Sequence, residues 1–176
     1  MRTLIAGVGN VLRGDDGFGV AVVEALALNN KFSDNVDVFE AGIAGIAFVQ
    51  ELMNGYDALI IIDAVERGEL PGTIFVFEPE IPQVAGAAAS RDFHSSLADA
   101  HYTEPTKVLT LARALGVLPP KIFVVGCQPV GYDDFGAEMS LEVKRAIPMA
   151  IERIESLIQE FDPAAIHYKA RKSIKR

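Results

Sequence analysis

The run Ala58-Leu59-Ile60-Ile61-Ile62 ends abruptly on a carboxylate, Asp63. An unbroken apolar stretch of this length, with no polar alternation, suits a central strand covered on both faces. Such strands occur in parallel sheets whose two faces carry helices, so this one segment already points to an α/β protein. The rest of the chain agrees. Residues 2–7 read as a first strand and about 16–29 as a first helix, with Val20, Val23, Leu26 and Ala27 on one face. Val36 to Glu40 alternates as a second strand, and Ile46 to Met53 reads as a short amphipathic helix stopped near Asn54-Gly55.

A fourth strand is expected at 73–77, ended by Glu78-Pro79. From Pro82 to Tyr102 the periodicity dissolves into a long loop. Val108 to Leu115 reads as a helix closed by Gly116, Lys121 to Gly126 as a buried strand, and Glu138 to Glu160 as an amphipathic helix interrupted at Pro148. Together these elements predict a three-layer α/β/α sandwich around a largely parallel, twisted sheet of five strands. One domain is expected over residues 1–161, followed by a basic tail at 162–176.

Totals narrow the function. With 176 residues, half of them hydrophobic, the chain can bury one sizeable core. No 18-residue uncharged apolar run exists, so no membrane span is expected, and the opening residues carry no signal-peptide pattern. The single cysteine, Cys127, cannot form an internal disulfide, which fits the cytoplasm. A net charge of −8 makes nucleic acid a poor partner for the body of the protein. The tail gathers Lys169, Arg171, Lys172, Lys175 and Arg176, either as a solvated terminus or as an arm for an acidic partner.

The opening stretch MRTLIAGVGNVLRGDDGFG carries the first chemical signal. Its strand runs into Gly7, Gly9 and Asn10, and a loop then delivers Asp15 and Asp16 near the head of the first helix. Free N–H groups favour acids there, so a helix cap or first-turn acid is one reading of the pair. Gly7, Gly9 and Gly14 do not make the dinucleotide spacing G-x-G-x-x-G, and no Gly-Lys-Ser/Thr follows, so a phosphate loop is excluded. In α/β folds, sites form beyond the carboxyl ends of strands. Asp16 follows the first strand, Asp63 ends the third, and the loop with His94 and His101 follows the fourth. Two carboxylates and one imidazole make an oxygen/nitrogen site for a divalent first-row metal.

Other catalytic kits are missing. There is no H-E-x-x-H, and His94 and His101, seven apart, do not share a helical face. No G-x-S-x-G elbow occurs. Cys127 could be a thiol nucleophile, but a small buried residue is the simpler reading. His167 reads as a surface residue of the tail.

The pattern Gly7-x-Gly9-Asn10-x-Leu12-x-x-Asp15-Asp16-Gly17-x-Gly19 resembles the opening of the [NiFe]-hydrogenase maturation endopeptidases. The resemblance continues through Ile60-Ile61-Ile62-Asp63-Ala64, Asp99-Ala100-His101 ahead of Val108-Leu109, Val125-Gly126-Cys127-Gln128-Pro129, and Gly136-x-x-x-Ser140, reaching about residue 160. It implies an endopeptidase that clips a C-terminal extension from the hydrogenase large-subunit precursor after nickel insertion. It also implies that Asp16, Asp63 and His101 are the metal-contacting, catalytic residues, with His94 the fallback for the imidazole. The family often has Glu where Asp16 stands, and Glu40-Ala41-Gly42-Ile43 occupies the place of a common Asp-Gly-Thr.

In one version of the chemistry the nickel is supplied by the precursor, its thiolates providing affinity that hard carboxylates lack. In the other, the enzyme carries its own nickel or another divalent ion, which activates water while an Asp serves as general base. The alternatives to an endopeptidase are a nickel-dependent docking chaperone that does not cleave and a peptidyl-tRNA hydrolase. The latter also opens on a strand and Gly-x-Gly-Asn, but it wants an early histidine and a basic surface. Here the first histidine is His94 and the body is acidic.

Overall fold

A computed structural model of the chain describes residues 1–29, 31–43, 45–82, 105–131 and 135–166. Five strands, β1 (Thr3–Val8), β2 (Val36–Gly42), β3 (Ala58–Ala64), β4 (Ile74–Phe77) and β5 (Lys121–Cys127), form one sheet in the order β2-β1-β3-β5-β4. The first four in that order run parallel, and β4 pairs antiparallel on the edge. Only nine residues separate Ala64 from Ile74. A parallel crossover needs a dozen or more, so the chain turns back instead.

The β3 run lacks alternation because both of its faces are covered. Ile60 and Ile62 pack with Ile5 and Val125 against α1 (Phe18–Asn29) and the closing helix, through Phe18, Val22, Leu26, Ile154 and Ile158. Leu59 and Ile61 pack with Leu4 and Ala6 against α2 (Gly45–Leu52) and α3 (Pro105–Ala114), through Phe48, Leu52, Leu109 and Ala112. The expected three layers follow directly from this two-sided burial. Among the described residues no helix is long and apolar enough to cross a membrane.

The closing helix α4 spans Leu141–Phe161 without a break, with Pro148 inside it. The expected interruption at Pro148 does not occur. Proline removes one helical donor, which leaves the Lys144 carbonyl without its N–H partner. Pro148 and Lys144 are both exposed, so water can serve that carbonyl, while Ala146 and Ala150 on the inner face are fully buried and hold the helix to the sheet.

Packing also continues past residue 161. Asp162 pairs with the chain's amino group at 3.4 Å, Pro163–Ala165 forms a short 3-10 turn, and Ile166 bridges to Phe32. Ala165 is fully buried. His167 and the five basic residues of the expected tail, like the loop bearing His94 and His101, lie outside the described residues.

Candidate active site

The loop after β1 is built by close backbone approach. Gly9 has φ 124, and a Cβ there would sit 1.8 Å from the Asp16 carbonyl oxygen. Only glycine meets both conditions. Its N–H donates to the Gly42 carbonyl at 3.0 Å, which sets the ends of β1 and β2 side by side. Asn10 closes the loop twice. Its side-chain Oδ1 accepts the Leu12 N–H at 3.0 Å, and its own N–H donates to Asp16 Oδ2 at 3.0 Å.

Asp15 and Asp16 lie in a 3-10 turn, Gly14–Gly17, just before α1. Both are first-turn acids of that 3-10 turn, as one reading of the pair expects, and each carboxylate also bonds beyond it. Asp15 is buried and points toward the far loop, where Oδ1 accepts the Ser140 N–H at 2.6 Å and Oδ2 accepts the Val130 N–H at 2.8 Å and the Ser140 hydroxyl at 3.0 Å. Ser140 is itself the N-cap of α4, accepting the Val143 N–H at 3.4 Å. Sequence reasoning did not find this clamp, because its partners stand 125 and 115 residues apart.

Asp16 faces a cleft of about 260 Å³ whose wall also holds Asp63, Asn10, Arg13, Ile43 and Pro105. Asp63 emerges where β3 leaves the sheet, opposite Gly126 of β5. Its pKa is pushed up to about 7, first by burial and then by the like charge of Asp16, against a smaller opposing effect of the Ala64 backbone. A buried carboxyl whose proton affinity is raised by a neighbouring carboxylate, in a concave site, is what a cation-binding or acid–base centre needs.

The cleft thus brings together Asp16 and Asp63, two of the three expected residues; His101 and the fallback His94 lie outside the described residues. Pro105, which opens α3 four residues after His101, is on the cleft wall. Among the described residues, no three His, Cys, Asp or Glu side chains are grouped to hold a metal ion. Glu40 is exposed on β2 opposite Gly7; from its segment, Gly42 and Ile43 line the cleft.

Cys127 is fully buried at the end of β5, and burial, aided by the charge of Asp15, pushes its thiol up to about 12. A thiol so held is protonated at neutral pH and makes no nucleophile. Gln128 beside it is structural as well. Its Oε1 accepts the Arg67 N–H at 2.8 Å and its Nε2 donates to Glu66 at 2.6 Å, fastening the loop between β3 and β4.

The family model for hydrogenase maturation proteases (HycI) matches residues 20–157. The chain belongs to the hydrogenase maturation protease family. The protease is 35% identical over 164 residues to the hydrogenase expression/formation protein HupD of Rhizobium leguminosarum bv. viciae, covering 93% of this chain and 77% of that one. It superposes on the hydrogenase maturating endopeptidase HybD from E. coli with a TM-score of 0.70 at 28% identity, covering 91% and 93% of the two chains. For the [NiFe] hydrogenase maturation protease HycI from Thermococcus kodakarensis KOD1 the TM-score is 0.63 at 28% identity, covering 90% of each. The protease is therefore a peptide hydrolase with the α/β fold of its family, and this membership decides against a non-cleaving chaperone and a peptidyl-tRNA hydrolase.

Proposed function

We propose that this protease, whose family processes the C-terminus of the hydrogenase large subunit, trims the large-subunit precursor only after nickel insertion and recognises that nickel through Asp16, Asp63 and His101. The observation that carries the reading is the pair of carboxylates in one cleft, with Asp63 held near neutrality by burial and by Asp16. A divalent ion beside the two carboxylates would offset the like charge that Asp16 imposes on Asp63. The donor set suits a visiting ion better than a resident one. Two hard carboxylates bind a first-row metal weakly, whereas nickel arriving on cysteine thiolates brings its affinity with it. Pro105 on the cleft wall, four residues after His101, supports an imidazole as the third contact.

This arrangement makes metal a condition of docking, so an empty precursor is passed over. The cytoplasm, where the lone Cys127 stays reduced, is the compartment we assign. Purified enzyme and precursor test the reading by a gel shift for the lost extension. Wild type should trim the nickel-loaded precursor and spare the nickel-free one. Asp16→Asn, Asp63→Asn and His101→Ala should leave the loaded precursor uncut while keeping a native circular-dichroism spectrum. Trimming by all three variants, or equal trimming of both precursors by wild type, overturns it.

A further inference from the structure

The three loops around the cleft share a feature that peptide hydrolysis alone does not require. Val11 and Leu12 lie after β1, Ile43 and Ile46 after β2, and Phe135 in the stretch before α4. All five are between 53% and 76% exposed. The loops lie side by side, joined by the Gly9 N–H to the Gly42 carbonyl at 3.0 Å and the Gly136 N–H to the Leu12 carbonyl at 2.7 Å. These exposed apolar side chains thus stand on adjoining segments, from the start of α2 across the first loop to the approach of α4, a set called here the ledge. Ile43 belongs to both the ledge and the wall of the cleft.

We propose that this ledge is the docking surface for the protein substrate, and that it takes an aliphatic or aromatic segment of the large-subunit precursor adjoining its metal site. The proposal rests on the functional reading above. An apolar patch spread over three loops marks an interaction site more often than a chance exposure. Its position selects the occupant. Ile43 lines the cleft that holds Asp16 and Asp63, so a polypeptide that brings its metal to that cleft meets these loops, whereas a second copy seated there would cover the acid pair. Binding is then divided: the cleft reads the metal, and the ledge holds the surrounding polypeptide.

The test is steady-state trimming of purified nickel-loaded precursor by full-length enzyme carrying Leu12→Ser, Ile46→Ser or Phe135→Ser, none of which lines the cleft. Each should raise KM about three- to tenfold with kcat within about twofold, the size expected for losing one half-buried apolar side chain. Leu28→Ser, 87% exposed near the far end of α1, is the control and should change neither constant. KM should stay flat or fall between 50 and 500 mM salt, since apolar contact is not screened.

Wild-type enzyme that trims normally while all three ledge variants keep its KM overturns the docking proposal and leaves the proposed function standing. A KM that climbs steeply with salt also overturns it, as does a ledge that serves only self-association, with the variants turning a dimer into a monomer at unchanged KM. Wild-type enzyme that trims no precursor overturns the functional reading, and the ledge's assignment with it. A variant with both a lowered melting temperature and a lowered kcat would show a structural role for that side chain and count against it as a docking contact.

Discussion

The Ser140 backbone N–H donates to Asp15 Oδ1 at 2.6 Å, and the Ser140 hydroxyl donates to Oδ2 of the same carboxylate at 3.0 Å. This pair ties the loop after the first strand to the N-cap of the last helix. Asp16, the next residue, turns the other way and faces the cleft. Two adjacent aspartates thus do different work. One fixes the frame, and the other presents a carboxylate inside it.

Substitution should separate the two. Asp15→Asn replaces a carboxylate that accepts three donors with an amide whose NH₂ must face at least one of them. Lost charge-assisted bonds at a buried site cost about 2–4 kcal/mol, lowering the melting temperature by roughly 10 °C in a chain of this size. Asp16→Asn keeps an oxygen for the Asn10 N–H and should change stability by less than about 1 kcal/mol while abolishing trimming. Thermal melts and the trimming assay, run on both variants, check the separation.

Asp63 predicts a stability gain opposed to function. Its unfolded carboxyl titrates near 4, but the folded one titrates at about 7. Between those values the folded state binds more protons than the unfolded one, so stability falls as pH rises from about 4 to 7 and levels beyond. Asp63→Asn removes that loss. The variant should match wild type near pH 4 and exceed it by about 1–3 kcal/mol at pH 8, a range reduced because the cleft opens to water. Urea denaturation at the two pH values measures the difference, and the same protein should leave nickel-loaded precursor uncut.

The parts of the fold visible in the sequence were those written as local pattern. The β3 run, the glycines after β1 and the periodic face of α4 each state their own structure. The direction of β4 is also contained in the nine-residue connection from Ala64 to Ile74, although strand propensity alone does not reveal it. The course of α4 through Pro148 was not visible, because local preference predicts a break and packing at Ala146 and Ala150 overrides it. The site was half legible. Placement at strand ends marks Asp16 and Asp63 as candidates, but nothing local distinguishes Asp15 from Asp16. The difference lies in Val130 and Ser140, more than a hundred residues away.

Cys127 should be chemically silent. Its thiol is buried and pushed up to about 12, so almost no thiolate exists at pH 8. Iodoacetamide should leave native protein unmodified under conditions that label it fully in denaturant, as mass spectrometry would show. Cys127→Ala should retain trimming within about twofold and cost about 1–2 kcal/mol for the small cavity. A nucleophilic cysteine would instead lose all activity.

Gly19 links the fold to the site most tightly. As the second residue of α1, it lets the helix start against the ends of two strands, and a Cβ there would lie 2.2 Å from the Ile62 carbonyl oxygen and 2.3 Å from that of Val8. Both obstacles are backbone in the centre of the sheet, so neither can yield without moving its neighbours, Asp63 and Gly9. Gly19→Ala should therefore cost more than about 4 kcal/mol, and any protein that folds should trim poorly because Asp63 is displaced. Gly68→Ala is the comparison. Its φ of 72 is unfavourable for alanine, but a Cβ meets nothing within 4 Å, so the cost should be about 1 kcal/mol with trimming unchanged. Urea midpoints at equal m-values would rank the two, and comparable losses would show that close approach at Gly19 is not what anchors α1.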